Sequence, residues 1–145
     1  MGSPLGMFEV QLAVSDLEAM TAFYRDRMEL EVTIEDAARG RTHFRVGDGQ
    51  LILARIAGEP EAAPAWPGLP PPLVGPDDER GPTPRAHGPV HFALEASVSD
   101  VVAGGERLRA SGHDVRGPWR WPSGRLSVYV RDPELNVVEL ISGPA

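Results

Sequence analysis

Glu139 lies inside the run Val137-Val138-Glu139-Leu140-Ile141, a carboxylate among residues that read as a buried strand. Leaving such a charge unpaired costs several kcal/mol, roughly, so it needs a cation or a hydrogen-bond network. Two more ionisable groups sit at matching places upstream. Glu9 opens the alternating segment Glu9 to Val14, and His91 stands near the start of a second alternating segment, Val90 to Ala96. Glu9 shares the polar face of its segment with Gln11 and Ala13, and His91 shares its face with Ala93 and Glu95. Ionisable groups at buried places mark chemistry more often than packing, which makes Glu9, His91 and Glu139 the residues to follow. Each residue also has a plainer reading. A strand-end acid such as Glu9 is commonplace, and a histidine such as His91 can simply hydrogen-bond within a core.

The elements that position these groups occur twice. Val10, Leu12 and Val14 alternate with the polar face of the first segment, as a half-buried strand requires. Ser15-Asp16-Leu17-Glu18 reads as a capping box, and Leu17, Met20, Tyr24 and Met28 follow at helical spacing with Phe23 widening the stripe. Strand-like runs follow at Leu30 to Ile34, Thr42 to Val46 and Gln50 to Ile56, the last two joined by the turn Gly47-Asp48-Gly49. From Val90 the order recurs. Phe92 and Leu94 form the apolar face of a strand, Val101, Val102, Gly105 and Leu108 a helical stripe, and Gly112 a C-terminal cap. Short strands then fit His113 to Arg116, Leu126 to Arg131 and Val137 to Ile141. Asp16 to Val32 matches Asp100 to Val115, and Gln50-Leu51-Ile52-Leu53 aligns with Asn136-Val137-Val138-Glu139, which makes Leu53 the counterpart of Glu139. An internal repeat of this kind predicts two βαβββ modules, residues 7–56 and 90–142, within a single domain of residues 1–145.

The connection, residues 57–89, is rich in proline and short of apolar periodicity. It reads as a tether between the modules, or as a lid that brings Trp66 and Leu69 to a pocket. Trp119 and Trp121 flank Arg120 ahead of a Pro-Ser-Gly turn, where they either wall a pocket that stacks a flat ligand or cover the end of a sheet. Tyr129 and Arg131 are further pocket candidates whose face the period alone does not fix. His43, His87 and His113 read as strand, loop and surface histidines, and Asp16 and Asp26 as helix-start and surface charges.

Composition narrows the function classes. At 145 residues the chain can bury a core, and 41% hydrophobic with 24% charged residues is ordinary for a soluble domain. A net charge of −7 argues against nucleic acid, whose phosphates call for a basic stripe. No apolar run is long enough to span a membrane, and the first residues lack the pattern of a signal peptide. The absence of cysteine excludes disulfides and thiolate metal sites, and is compatible with a cytoplasmic location.

Three segments carry a resemblance: Val14-Ser15-Asp16-Leu17-Glu18 with Phe23-Tyr24-Arg25-Asp26, Gly88 to Leu94, and Tyr129 to Leu140. Together they resemble the vicinal oxygen chelate superfamily, which includes glyoxalases, extradiol dioxygenases, fosfomycin-resistance thiol transferases and bleomycin-binding proteins. The resemblance covers nearly the whole chain and departs at Leu135, where the family usually has glycine. It implies an α+β fold of two βαβββ modules whose curved mixed sheets surround a cavity, with helices outside. It also implies metal ligands on the first and last strands of each module, at Glu9, Leu53, His91 and Glu139. Leu53 cannot ligate, which leaves two carboxylates and one imidazole. That set suits manganese, zinc, nickel or magnesium, and disfavours both iron-dependent ring cleavage and the four-ligand glyoxalase site. Gln11, Leu53, Trp119, Trp121, Tyr129 and Arg131 are the expected pocket residues. The expected function is a divalent-metal enzyme that chelates an oxygen-rich small substrate; the alternative is a metal-free protein that sequesters an antibiotic or other natural product. A homodimer is expected, because open curved sheets leave edges to cover.

Overall fold

The computed structural model describes residues 6–56 and 90–143, which form two compact units. Residues 57–89, including Trp66 and Leu69, lie outside the described residues. In the first unit, β1 (Glu9–Val14) leads into α1 (Leu17–Ala22), followed by β2 (Glu31–Asp36), β3 (Arg41–Val46) and β4 (Gly49–Arg55). The second contains β5 (His91–Ala96), α2 (Val98–Ala110), β6 (Val115–Arg120), β7 (Leu126–Arg131) and β8 (Val137–Ser142). Each is a four-stranded mixed sheet, ordered β1-β4-β3-β2 in the first and β5-β8-β7-β6 in the second. In both, the first and last strands run parallel at the centre and edge, and the remaining pairs are antiparallel. The repeat read from the sequence is therefore a repeat of topology.

In the first unit the helix covers the face the alternation predicts. Leu12 and Val14 are buried, and Glu9 and Gln11 on the opposite face are exposed. The Thr21 hydroxyl of α1 meets the Thr42 hydroxyl of β3 at 2.9 Å, which identifies the helix-covered side of the sheet. Helix α1 departs from the simple stripe by passing into a π-helical turn, Phe23–Arg27, closed by Met28 N–H to the Phe23 carbonyl at 3.1 Å. A π-turn widens the arc a helix can bury, so the adjacent residues Phe23 and Tyr24 are both buried and meet edge-on at 5.1 Å. The helix cap also falls one residue later than the capping box predicts. Asp16, not Ser15, is the N-cap, and its carboxylate accepts from Ala19 N–H at 3.0 Å.

In the second unit, α2 is capped by Ser97, which accepts from Asp100 N–H at 3.1 Å. Val101, Gly104, Gly105 and Leu108 face the sheet, whereas Val102, read from spacing as part of the stripe, is exposed. The two glycines let the helix lie close to β7 and β8. A β-carbon on Gly105 would stand 3.2 Å from a Val128 methyl, so the valine would have to give way by a few tenths of an ångström. Gly105→Val should therefore lower the unfolding free energy by about 2 kcal/mol through overpacking, read as a shift of the urea midpoint.

The β7–β8 hairpin is organised by one carboxylate. Asp132 is 2% exposed and accepts from Glu134 N–H, Asn136 N–H and the Asn136 side-chain amide at 2.8–3.0 Å. Asn136 in turn accepts from Val90 N–H at 3.2 Å, which ties the hairpin to the entry of β5. Leu135 takes φ 68°, so the turn holds a left-handed conformation on a residue other than glycine. Its N–H donates to the Asp132 carbonyl at 2.8 Å, part of the bonding that holds this conformation against an intrinsic cost of about 1–2 kcal/mol.

Candidate functional site

The pairing register shows which residues share the face of the second sheet turned away from α2. Ala93 pairs with Glu139, which pairs with Tyr129; His91 pairs with Val137, which pairs with Arg131; and Glu95 pairs with Ile141, which pairs with Ser127. Paired residues point to the same side of a sheet, as do residues two apart along a strand. His91, Glu139, Tyr129, Ser127 and Arg131 therefore stand on one face.

Glu139 is the hub of this face and is 7% exposed. Its Oε1 accepts from the Ser127 hydroxyl at 2.6 Å and from the Tyr129 hydroxyl at 2.9 Å. Its Oε2 lies 3.1 Å from His91 Nε2. Trp121 extends the chain, its indole N–H donating to Ser127 Oγ at 2.8 Å. Burial is the largest single influence on the Glu139 carboxyl and pushes its pKa up. The hydrogen bonds from His91, Ser127 and Tyr129, with the His91 charge, together outweigh burial and hold it below the ordinary glutamate value. The demand for a partner that the apolar run implied is met by this network. An ionised carboxylate only accepts, so the hydrogen between Oε2 and the ring sits on His91 Nε2.

The depressed pKa carries a stability consequence with a definite sign. A carboxyl whose folded pKa lies below its unfolded value stabilises the fold fully above the unfolded value, and that contribution is lost as pH falls through the folded one. In metal-free buffer, wild type should therefore lose stability relative to Glu139→Gln on acidification below the ordinary carboxylate range. Urea midpoints of the two proteins followed from neutral to acid pH check this. Parallel curves would contradict it.

A pocket of about 360 Å³ opens beside Glu139, lined by Trp121, Pro122, Ser123, Arg125, Tyr129, Glu139 and Ile141. Of the expected pocket residues, Trp121 and Tyr129 line it. Trp119 does not: it is 38% exposed and stands edge-on against Trp121 at 6.3 Å, supporting that ring from outside the pocket. Arg131 is half-buried on the same sheet face, in the row of Val137 and His91, and is absent from the pocket lining. Ser127, Arg125 and Ile141 were not expected. Ile141 was within reach of the period-two rule, two residues beyond Glu139. Ser127 needed the register of β7, and Arg125 the close of the turn before it.

The first unit corrects one expectation. Leu53 pairs with Leu12 and with Thr42, on the helix-covered side, and is fully buried there. Ile52 pairs with Gln11 and His43 on the other side, so Ile52 is the residue placed as Glu139 is in the second unit. A one-residue slip in alignment moves a side chain to the opposite face, which is how Leu53 came to stand for Ile52. The conclusion that this position offers no ligand holds for Ile52 as well. Glu9 is exposed on β1, where its Oε2 accepts from the Gln50 side-chain amide at 2.9 Å, and Gln50 Oε1 lies 3.3 Å from His43 Nδ1. His43, assigned nothing from sequence, is thus bridged to Glu9 through Gln50. Gln11 is exposed beside Glu9 on the same face.

Among the described residues no group of three or more His, Asp or Glu side chains stands together as a metal cluster. His91 and Glu139 do stand together as a pair. Two ligands about 2.1 Å from one ion and at right angles to each other are about 3.0 Å apart, close to the 3.1 Å between His91 Nε2 and Glu139 Oε2. The two groups would hold neighbouring positions of a divalent ion once the Nε2 proton between them is released, with Glu139 Oε1 held from behind by Ser127 and Tyr129.

The profile of the Glyoxalase/Bleomycin resistance protein/Dioxygenase superfamily matches residues 6–140. Among solved structures, lactoylglutathione lyase from Agrobacterium tumefaciens is 31% identical, with a TM-score of 0.71 over 98% of this chain and 96% of that one. The fosfomycin resistance protein FosX from Mesorhizobium loti is 20% identical, with a TM-score of 0.61 over 97% and 94%. TioX from Micromonospora sp. ML1 is 19% identical, with a TM-score of 0.66 over 94% and 98%. The last two likenesses are of fold alone. A comparison with curated proteins found no significant match. With the repeated βαβββ topology and a profile match spanning both modules, the chain belongs to the Glyoxalase/Bleomycin resistance protein/Dioxygenase superfamily.

Proposed function

We propose that this protein is a divalent-metal-dependent enzyme acting on a small oxygen-rich substrate, with His91 and Glu139 as metal ligands. The observation that carries the reading is the 3.1 Å approach of His91 Nε2 to an ionised, network-held Glu139 at the edge of a pocket. A bound ion with open positions would accept two neighbouring substrate oxygens and polarise a carbonyl. Glu9 holds the place in β1 that His91 holds in β5. The chain's own residues do the rest. Ser127 and Tyr129 hold the Glu139 carboxylate, Trp121 anchors Ser127, and Trp121, Pro122 and Ile141 give the pocket apolar walls. The likeness to a lactoylglutathione lyase at 31% identity supports an enzyme of this superfamily without fixing its substrate.

A second reading, metal-free sequestration of a natural product, is favoured by the three protein side chains that already partner Glu139 and by the aromatic pocket walls. Thermal unfolding separates the two. Manganese, zinc, nickel or magnesium at a hundredfold excess over Kd should stabilise the enzyme by about 2.7 kcal/mol, since it binds only the folded state. His91→Ala should reduce that gain. If none of the four ions moves the wild-type melting curve, the metal reading fails and sequestration replaces it.

A further inference from the structure

The face of the first sheet turned away from α1 carries an acid and an imidazole of its own. Gln11 pairs with Ile52 and Ile52 with His43, just as Ala93 pairs with Glu139 and Glu139 with Tyr129. Glu9 and Gln50 are placed as His91 and Val137 are. The first unit therefore has an apolar side chain, Ile52, where the second has its hub carboxylate, and sets Glu9 and His43 at flanking positions. Gln50 joins the two. Its side-chain nitrogen donates to Glu9 Oε2 at 2.9 Å, and its Oε1 lies 3.3 Å from His43 Nδ1.

These two contacts decide where the ring hydrogen sits. A glutamine side chain has one donating group and one accepting oxygen, and Glu9 takes the donor. The oxygen is left to face His43, and it can only accept. Nδ1 therefore carries the hydrogen, and in the neutral ring Nε2 carries none. Turning the Gln50 amide over would set its oxygen against the Glu9 carboxylate, acceptor against acceptor, so the arrangement holds in one sense only. Nε2 lies at the tip of a histidine ring, far from Cβ, and side chains stand roughly perpendicular to a sheet. The ring is half-buried, and no donor among the described residues meets its Nε2.

We propose that His43 is a proton-accepting group on this face of the first unit, serving a small molecule that offers a hydroxyl or another weakly acidic proton. In the transfer an N–H bond forms at Nε2, the ring becomes an imidazolium, and the electron pair of the broken bond stays on the donor. Gln50 and Glu9 are positioning residues: they hold the tautomer that leaves Nε2 bare. The site is built on the first unit alone and needs no metal.

Nuclear magnetic resonance of the full chain with nitrogen-15 in its histidines, in EDTA and above the ordinary histidine range of pH, reads the tautomer directly. Wild-type His43 should be protonated at Nδ1 and bare at Nε2. Gln50→Leu, which removes the acceptor, should lose that preference. Glu9→Gln should loosen it although Glu9 does not touch the ring, because the Gln50 amide is then free to turn; as an exposed position it also leaves the fold undisturbed. Diethyl pyrocarbonate then tests whether the lone pair can be reached. Nε2 attacks one carbonyl, the Nδ1 proton leaves with the ethyl carbonate fragment, and that fragment splits into carbon dioxide and ethanol. The label should appear on His43 in wild type, located by mass spectrometry of its peptide, and on Nε2, located by the same resonance experiment. An Nε2–H tautomer in wild type, a tautomer unchanged in both variants, or a His43 that stays unlabelled would overturn the proposal. All of these readings exclude metal, so they stand or fall apart from the metal-induced thermal shift.

Discussion

Glu139→Gln should weaken divalent-metal binding by about a hundredfold or more while leaving the fold intact. The amide keeps nearly the shape of the side chain but gives up its charge, and only one of its two polar atoms can accept. If that oxygen stays with Ser127 and Tyr129, the NH₂ group replaces the Oε2 that faces His91 Nε2 at 3.1 Å. A ligand atom is then exchanged for a donor that cannot coordinate. Losing even a supporting partner costs a metal site 10–100-fold, roughly, and losing a ligand costs at least as much. At the ion concentration that stabilises wild type by about 2.7 kcal/mol, a variant with a hundredfold weaker Kd gains only about 0.4 kcal/mol. The paired melting curves make that contrast directly readable. An equal metal-induced shift in the two proteins would show that Glu139 is not a ligand.

Asp132→Ala should lower the unfolding free energy by about 3 kcal/mol, with little local repair available. Three donors end on that carboxylate, two of them backbone N–H groups in the β7–β8 turn, and all lie in a buried hairpin. Alanine leaves them without their acceptor. Asp132→Asn should fall between wild type and alanine, because its oxygen can keep the two backbone donors while its NH₂ opposes the Asn136 amide. Chemical denaturation monitored by circular dichroism orders the three proteins. A loss below about 1 kcal/mol in Asp132→Ala would mean that water replaces the carboxylate in the turn.

The strands whose faces differ in polarity were legible from their residues. Alternation in β1 and β5 located the helix-covered side, and the recurrence of strand, helix and three strands foretold the two sheets. Glu139 was conspicuous because a carboxylate in an apolar run must have partners. The identity of those partners was not legible, since Ser127 and Tyr129 reach it only through the β7–β8 register. β4 shows why Leu53 was mistaken for the counterpart of Glu139. Leu51, Ile52 and Leu53 are all buried, so the strand carries no alternation from which to read which side each residue faces. β6 runs to Arg120, beyond the expected end at Arg116, because Gly117 and Pro118 form an irregularity within an edge strand instead of its end. The π-turn after α1 was hidden for a different reason: the apolar spacing of Met20, Tyr24 and Met28 is equally consistent with an uninterrupted α-helix.

The central claim is that His91 and Glu139 hold a divalent ion. Isothermal titration calorimetry of protein stripped with EDTA and then dialysed free of it tests that claim most directly, with manganese, zinc, nickel and magnesium titrated in turn. The account predicts saturable binding of one ion per chain for at least one of these metals, lost together in His91→Ala and Glu139→Gln. Binding of none of the four, or binding that both variants retain in full, would contradict it.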